Sequence, residues 1–150
     1  MLTTKQIITI LEEVEGEEEQ FIDIFDSVIK TGLLISRNNE ELLEECHRLF
    51  KNHDSVFQFT ATDVNLSFFL KIMNGTITYT QGIYHGQDIP KAIIVFPKDI
   101  ILQVIKQEVS VESLYNKGII KLKGSFAYLM RLRALGKYYV KYIEEIVNKK

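Results

Sequence analysis

The chain is predicted to fold as a single α+β domain: a five-stranded, mostly antiparallel sheet covered on one face by helices, with additional helices at the N-terminus. Three observations predict it. Apolar residues recur every three to four positions through the first fifty residues, then every second position from Ser55 onward, then alternate between short strand-like and helix-like runs. The dipeptide Asn74-Gly75 stands between two alternating stretches, as a tight hairpin requires. A length of 150 residues, 46% hydrophobic and 25% charged, suffices for one core and is too short for two. Residues 1–38 are assigned to the additional helical segment and 39–148 to the sheet-bearing body, within one domain over 1–150.

The elements follow in order. Thr3 or Thr4 caps a first helix with Ile7, Ile8, Leu11 and Val14 on one face. After Gly16 the acidic run Glu17 to Glu19 suits the start of a second helix, whose Phe21, Phe25, Val28 and Ile29 repeat the spacing until Gly32. Asn38 with Glu41 has capping-box spacing for a third helix that turns Leu42, Leu43, Cys46, Leu49 and Phe50 inward, with Arg48 and Lys51 near its end. From Ser55 the period is two: Phe57, Phe59 and Ala61, then Val64, Leu66, Phe68, Leu70 and Ile72, then Ile77, Tyr79 and Ile83. Ala92 to Phe96 is a fourth, continuously apolar strand, and Ile120 with Leu122 supplies the fifth. Helices rich in Ile, Leu and Val lie between the fourth and fifth strands, and a last helix runs from Phe126 onward.

Several chemistries are not supported by the residues. One cysteine, Cys46, supports neither a disulfide scaffold nor a zinc cluster. His47, His53 and His85 lack metal-ligand spacing among themselves, so no metal and no other cofactor is expected. Ser110, Ser113 and Ser125 lie in no nucleophile elbow, and the glycines of Gly118 to Ser125 stand one residue too far apart for a phosphate loop. An enzyme is therefore not expected. The absence of a basic and then apolar leader, together with the lone thiol, points to the cytoplasm.

Charge is divided unevenly. Residues 1–45 carry three basic against twelve acidic side chains, and residues 46–150 carry fifteen against eight. Either the acidic helices fold onto the basic half of the molecule or they offer a surface to a partner protein. Nucleic acid is a poor partner for a chain of pI about 5.9 without a dense basic cluster interleaved with aromatics.

The stretch Ala92 to Leu135 carries a resemblance. Ile93 to Phe96 leads into a helix opened by Lys98, Asp99 and Ile100. A second short helix ends at Gly118-Ile119-Ile120-Lys121-Leu122-Lys123-Gly124, and a helix rich in Leu, Met and basic residues follows from Phe126 to Leu135. This order resembles the sterol carrier protein type 2 (SCP-2 sterol-transfer) domain family over residues 42–142. The resemblance implies an apolar tunnel between sheet and helices that takes a fatty acyl chain, a sterol-like molecule or acyl-CoA. Its implied lining is Phe68, Leu70, Tyr79, Phe96, Ile101, Ile105, Leu114, Leu122, Phe126 and Met130. The chain would then bind, and transfer, a lipid without catalysis. The C-terminal helix, which mixes Arg131, Arg133, Lys137 and Lys141 with Leu132, Leu135, Tyr139 and Tyr142, is expected to dock on its own domain with its basic face free to touch lipid head groups. The alternative is an accessory module that uses the acidic helices between Glu12 and Glu45 to dock a protein.

Overall fold

The computed structural model describes residues 3–37, 39–51 and 54–148. Three helices come first: α1 (Thr4–Glu13), α2 (Glu18–Ser36) and α3 (Glu40–Phe50). Strands β1 (Ser55–Ala61), β2 (Ser67–Met73), β3 (Thr76–Gln81) and β4 (Ala92–Phe96) follow. Then come α4 (Ile100–Ile105), α5 (Val111–Asn116), β5 (Lys121–Gly124) and α6 (Phe126–Asn148).

The caps follow from local chemistry. Thr3 and Gln6 form a reciprocal capping box, the Gln6 N–H donating to Thr3 Oγ1 at 3.1 Å and the Thr3 N–H to Gln6 Oε1 at 2.8 Å. At α3 the cap is Asn39, whose side chain accepts from the Leu42 N–H at 2.9 Å. The capping role expected of Asn38 lies outside the described residues. Helix α2 does not stop at Gly32. It continues for one more turn, where the buried Ser36 hydroxyl donates back to the Gly32 carbonyl at 2.8 Å. In α3, Leu43 does not turn inward with its neighbours but stands 39% exposed.

The sheet order is β3-β2-β1-β4-β5. Three pairings are antiparallel, while β4 runs parallel to β1 with Phe57 opposite Ala92 and Phe59 opposite Ile94. Asn74 and Gly75 both adopt positive φ at the β2–β3 hairpin. After β3 the chain must recross two strands to reach a parallel position beside β1, and it does so through the connection 82–91. Ile83, expected to continue the third strand, falls on that connection and is exposed.

Register divides the sheet into two unlike faces. The front face carries Phe57, Phe59, Phe68, Leu70, Ile72, Ile77, Tyr79, Ile94, Phe96 and Leu122. Helices cover it: α2 and α3 pack on α6, α2 also on β3, α6 on β4 and α1 on α4. The first two helices are part of this core, since Leu11, Phe21 and Phe25 are buried in the same cluster as the sheet. At about 25 cal/mol per Å² of apolar surface removed from water, side chains of this size stabilise by roughly 1.5–3 kcal/mol each.

The back face is closed differently. Gln58, only 5% exposed, points there from β1. Its Nε2 donates to the Phe68 and Gly82 carbonyls at 3.0 and 3.2 Å, and its Oε1 accepts from the Tyr84 N–H at 2.8 Å. The Tyr84 ring meets Phe69 edge-on at 5.2 Å. One buried amide thus ties the start of the crossing connection to the underside of the sheet.

Candidate apolar binding site

Aromatic side chains make a stripe across the front face. From β4 through β1 and β2 to β3 run Phe96, Phe59, Phe68 and Tyr79, with ring centroids 6.5, 4.9 and 5.2 Å apart. Alternation turns these four aromatics to the inward face of β1 to β4, and register aligns them. Helix α2 closes on the stripe with Phe25, 5.6 Å from Phe68, and Phe21 stacks at 6.4 Å from Phe25. The Lys98 ammonium lies over the outer side of Phe21 at 4.6 Å and also donates to the Glu15 carbonyl.

Nine of the ten residues expected to line a tunnel fall in this one apolar cluster. Phe68, Phe96, Ile101 and Leu114 are buried, and Leu70, Tyr79, Ile105, Leu122 and Met130 are half-buried against them. Phe126 is half-buried and meets the Tyr115 ring at a tilt, with centroids 5.0 Å apart. The cover is thinnest at the α4–α5–α6 end. There Val104, Ile105, Val109, Val111, Leu122 and Met130 are all only half-buried, and Tyr115 and Ile119 are exposed. Phe59, Phe21 and Phe25, which the expected lining does not include, join the same aromatic stripe. Phe59 was readable from its place in the alternation, whereas the two α2 rings showed an apolar helix face without showing what it faces.

One polar cluster borders the stripe where α2 crosses β3. The Asp26 carboxylate pairs with Lys30 at 2.9 Å, and Lys30 lies 5.9 Å from the Tyr79 ring centre. Burial, and then the neighbouring Asp26 carboxylate, push the Tyr79 hydroxyl well above its ordinary pKa. Neither that hydroxyl nor the second Asp26 oxygen has a well-formed hydrogen bond, although Asp26 and Gln81 both act on the hydroxyl at close range. Burial alone lifts the Cys46 thiol to about 11, so it is a core group and not a nucleophile at neutral pH.

The surface has a cleft elsewhere. Between α3 and α6, Glu41, Glu44, Glu45 and Glu145 surround Lys141, Tyr138 and Tyr142 around a volume of about 210 Å³. None of the expected lining residues borders it. The two arginines of α6 find partners within the chain, and one lysine lines the cleft. Arg133 pairs with Glu112, Arg131 lies over Tyr128 at 4.7 Å, and Lys141 sits among the cleft glutamates. The acidic helices are likewise partly used internally, through Glu12 on Lys106 at 3.4 Å and Glu18 accepting the Asn65 N–H at 3.0 Å. Among the described residues no group of His, Cys, Asp and Glu is arranged to hold a metal, and no helix is long and apolar enough to cross a membrane.

Residues 36–137 match the family model described as the SCP-2 sterol transfer family. The chain belongs to that family. Solved structures carry the same fold at low sequence identity. The UbiJ-SCP2 ubiquinone synthesis protein aligns over 82% of this chain and 93% of its own, with a TM-score of 0.56 and 12% identity. Sterol carrier protein 2 from Yarrowia lipolytica, in its apo form, aligns over 76% and 88%, with a TM-score of 0.56 and 15% identity. A double mutant of a sec-alkyl sulfatase aligns over 55% of this chain with a TM-score of 0.50 and 19% identity, and the SCP-2 chain spans only 13% of that enzyme. No curated protein matches at the level of sequence. The family match begins at residue 36, so α1 and nearly all of α2, with Leu11, Phe21 and Phe25, lie outside it.

Proposed function

We propose that the chain binds a hydrophobic ligand with a long acyl or sterol-like body in the apolar interior between the sheet and its helices, and carries it without catalysing a reaction. Membership of the SCP-2 sterol transfer family supports a lipid as the ligand. The observation that carries the reading is the continuity of the interior. It runs from the aromatic stripe to the half-buried Ile105, Leu122 and Met130 at the end where the helical cover is thinnest. A guest entering there meets apolar side chains first, the Asp26 carboxylate bordering the stripe only beside Tyr79. Binding draws on about 0.8 kcal/mol per buried methylene, so a long chain gains on the order of 10 kcal/mol before ordering costs are deducted.

The lining comprises Phe68, Leu70, Tyr79, Phe96, Ile101, Ile105, Leu114, Leu122, Phe126 and Met130, to which Phe59, Phe21 and Phe25 are added. Native mass spectrometry of untreated protein, followed by titration with a fluorescent fatty acid, tests the reading. A retained apolar molecule or saturable probe binding that unlabelled lipid reverses is expected. Protein that carries nothing and fails to bind the probe would refute it. The chain is read as acting in the cytoplasm.

A further inference from the structure

The back face of the sheet is the other large surface that the fold leaves with a distinct chemistry. Lys71 on β2 and Lys121 and Lys123 on β5 point there. No strand of the sheet contains an Asp or Glu. Among the described residues none of the three lysines has an ion-pair partner, in contrast with Lys30, Lys106 and Arg133 on the helical side. Between the β5 lysines and β1 stand Ile93 and Val95, half-buried, each directly opposite a lysine: Ile93 beside Lys123 and Val95 beside Lys121. The two lysine-bearing strands are three strand spacings apart, roughly 14 Å.

The connection 82–91, which Gln58 holds at Gly82 and Tyr84 beneath this face, adds exposed apolar groups. Ile83 is 58% exposed and Ile89 is 87% exposed, the largest exposure of any big apolar side chain among the described residues. The single carboxylate on residues 82–91 is Asp88, against Lys91 on the same segment. A broad, gently twisted sheet of spread cations with aliphatic side chains between and beside them suits an extended anionic plane with an apolar interior. It suits a pocketed ligand poorly, because the charges do not converge.

We propose that the back face, through Lys71, Lys121, Lys123 and the aliphatic side chains of Ile83 and Ile89, is the surface by which this protein docks on an anionic lipid bilayer. Lysines reach the head-group phosphates while the isoleucines enter the acyl boundary, the pairing of charge and apolar area that holds peripheral proteins to membranes. Docking by this face keeps the helical side, with its thin α4–α5–α6 cover, away from the plane of contact but leaves its rim free to open. The inference rests on the lipid-carrier reading for its purpose and not for its test.

The test is co-sedimentation of the full chain with vesicles of phosphatidylcholine alone, or with about 30% phosphatidylserine, at ~0.1 M salt. Binding to the anionic vesicles only is expected. The double substitution Lys121→Gln with Lys123→Gln, at exposed strand positions that leave the core intact, is expected to weaken it about 25-fold. Ile89→Ser is expected to weaken it roughly five-fold through lost apolar contact. Lys137→Gln with Lys141→Gln on α6 is expected to change it little, and circular dichroism checks that each variant is folded. Three results would overturn the proposal: no sedimentation with anionic vesicles, loss through the α6 pair in place of the β5 pair, or binding that is indifferent to Ile89→Ser and equally strong on soluble heparin. Fluorescent fatty-acid affinity, measured on the same proteins, is expected to be unaltered by the β5 substitutions. An unsubstituted chain that binds the probe normally but not the anionic vesicles therefore rejects the docking face alone, and vesicle binding without probe affinity rejects the carrier reading alone.

Discussion

Replacing Gln58 by Leu tests whether a single buried amide holds the back of this sheet. The two side chains are similar in volume, so the substitution removes polar contacts with little change in packing. The amide orientation is set by its surroundings: Nε2 faces the Phe68 and Gly82 carbonyls, and Oε1 faces the Tyr84 N–H. With Leu in place, the Tyr84 N–H and Gly82 carbonyl lose these partners beneath a surface where the side chain is 5% exposed. Each orphaned group costs about 1–3 kcal/mol, less whatever water recovers at the edge of the connection. A loss of about 2–4 kcal/mol is expected, which for a chain of this size lowers Tm by roughly 5–15 °C. Thermal unfolding measures the loss, and amide exchange at Tyr84 locates it. A Leu variant within about 0.5 kcal/mol of the parent, with the Tyr84 amide still protected, would refute the account. Because the same connection carries Ile83 and Ile89, anionic-vesicle binding is expected to weaken alongside.

Tyr79→Phe removes a buried hydroxyl with no well-formed hydrogen bond and a carboxylate beside it, so it is expected to be neutral or to stabilise by about 1 kcal/mol in denaturant unfolding, and a loss above that size would show that Asp26 or Gln81 is a true partner of the hydroxyl. Gly124→Ala is expected to destabilise by about 2 kcal/mol or more, since φ is +114° and a Cβ would lie 2.5 Å from the Lys91 carbonyl oxygen; equal thermal stability would disprove the close approach. The Cys46 thiol holds its proton to about pH 11 in the folded chain against 9.0 ordinarily, so its contribution is complete below about pH 9 and is lost as pH rises through about 11. A Cys46→Ala variant is expected to lack that part of the alkaline slope in urea unfolding. At neutral pH, labelling of Cys46 by a thiol reagent is expected to follow opening of α3, and fast labelling of folded protein would contradict its burial.

Local structure was legible where a residue's own chemistry decides it. The turn at Asn74-Gly75, the helix start at Thr3 and the inward alternation of Phe57, Phe59, Phe68, Leu70 and Tyr79 all require only neighbours in the chain. Errors arose where a local signal competes with a distant one. Gly32 is a poor helix residue, yet α2 runs past it because the helix packs on α6 and β3 and Ser36 bonds back across that turn. Ile83 keeps the period of its strand but leaves it, because Gln58 captures the backbone at Gly82 and Tyr84. The candidate site divided in the same way. Alternation shows which strand residues share the covered face, while nothing local links Phe21 and Phe25 to them.

From composition, periodicity and motif order come the class of fold, the five strands and the helices, and the resemblance carried by Ala92 to Leu135 points to the family whose model matches residues 36–137. Tertiary structure alone decided that β4 lies parallel to β1, that α2 closes over the aromatic stripe, and that three lysines share a face with no carboxylate. The reason is physical. A pattern of apolar residues states which side of an element avoids water, but the free energy of avoiding it has no direction, so the partner is settled only when all the elements compete for the same interior.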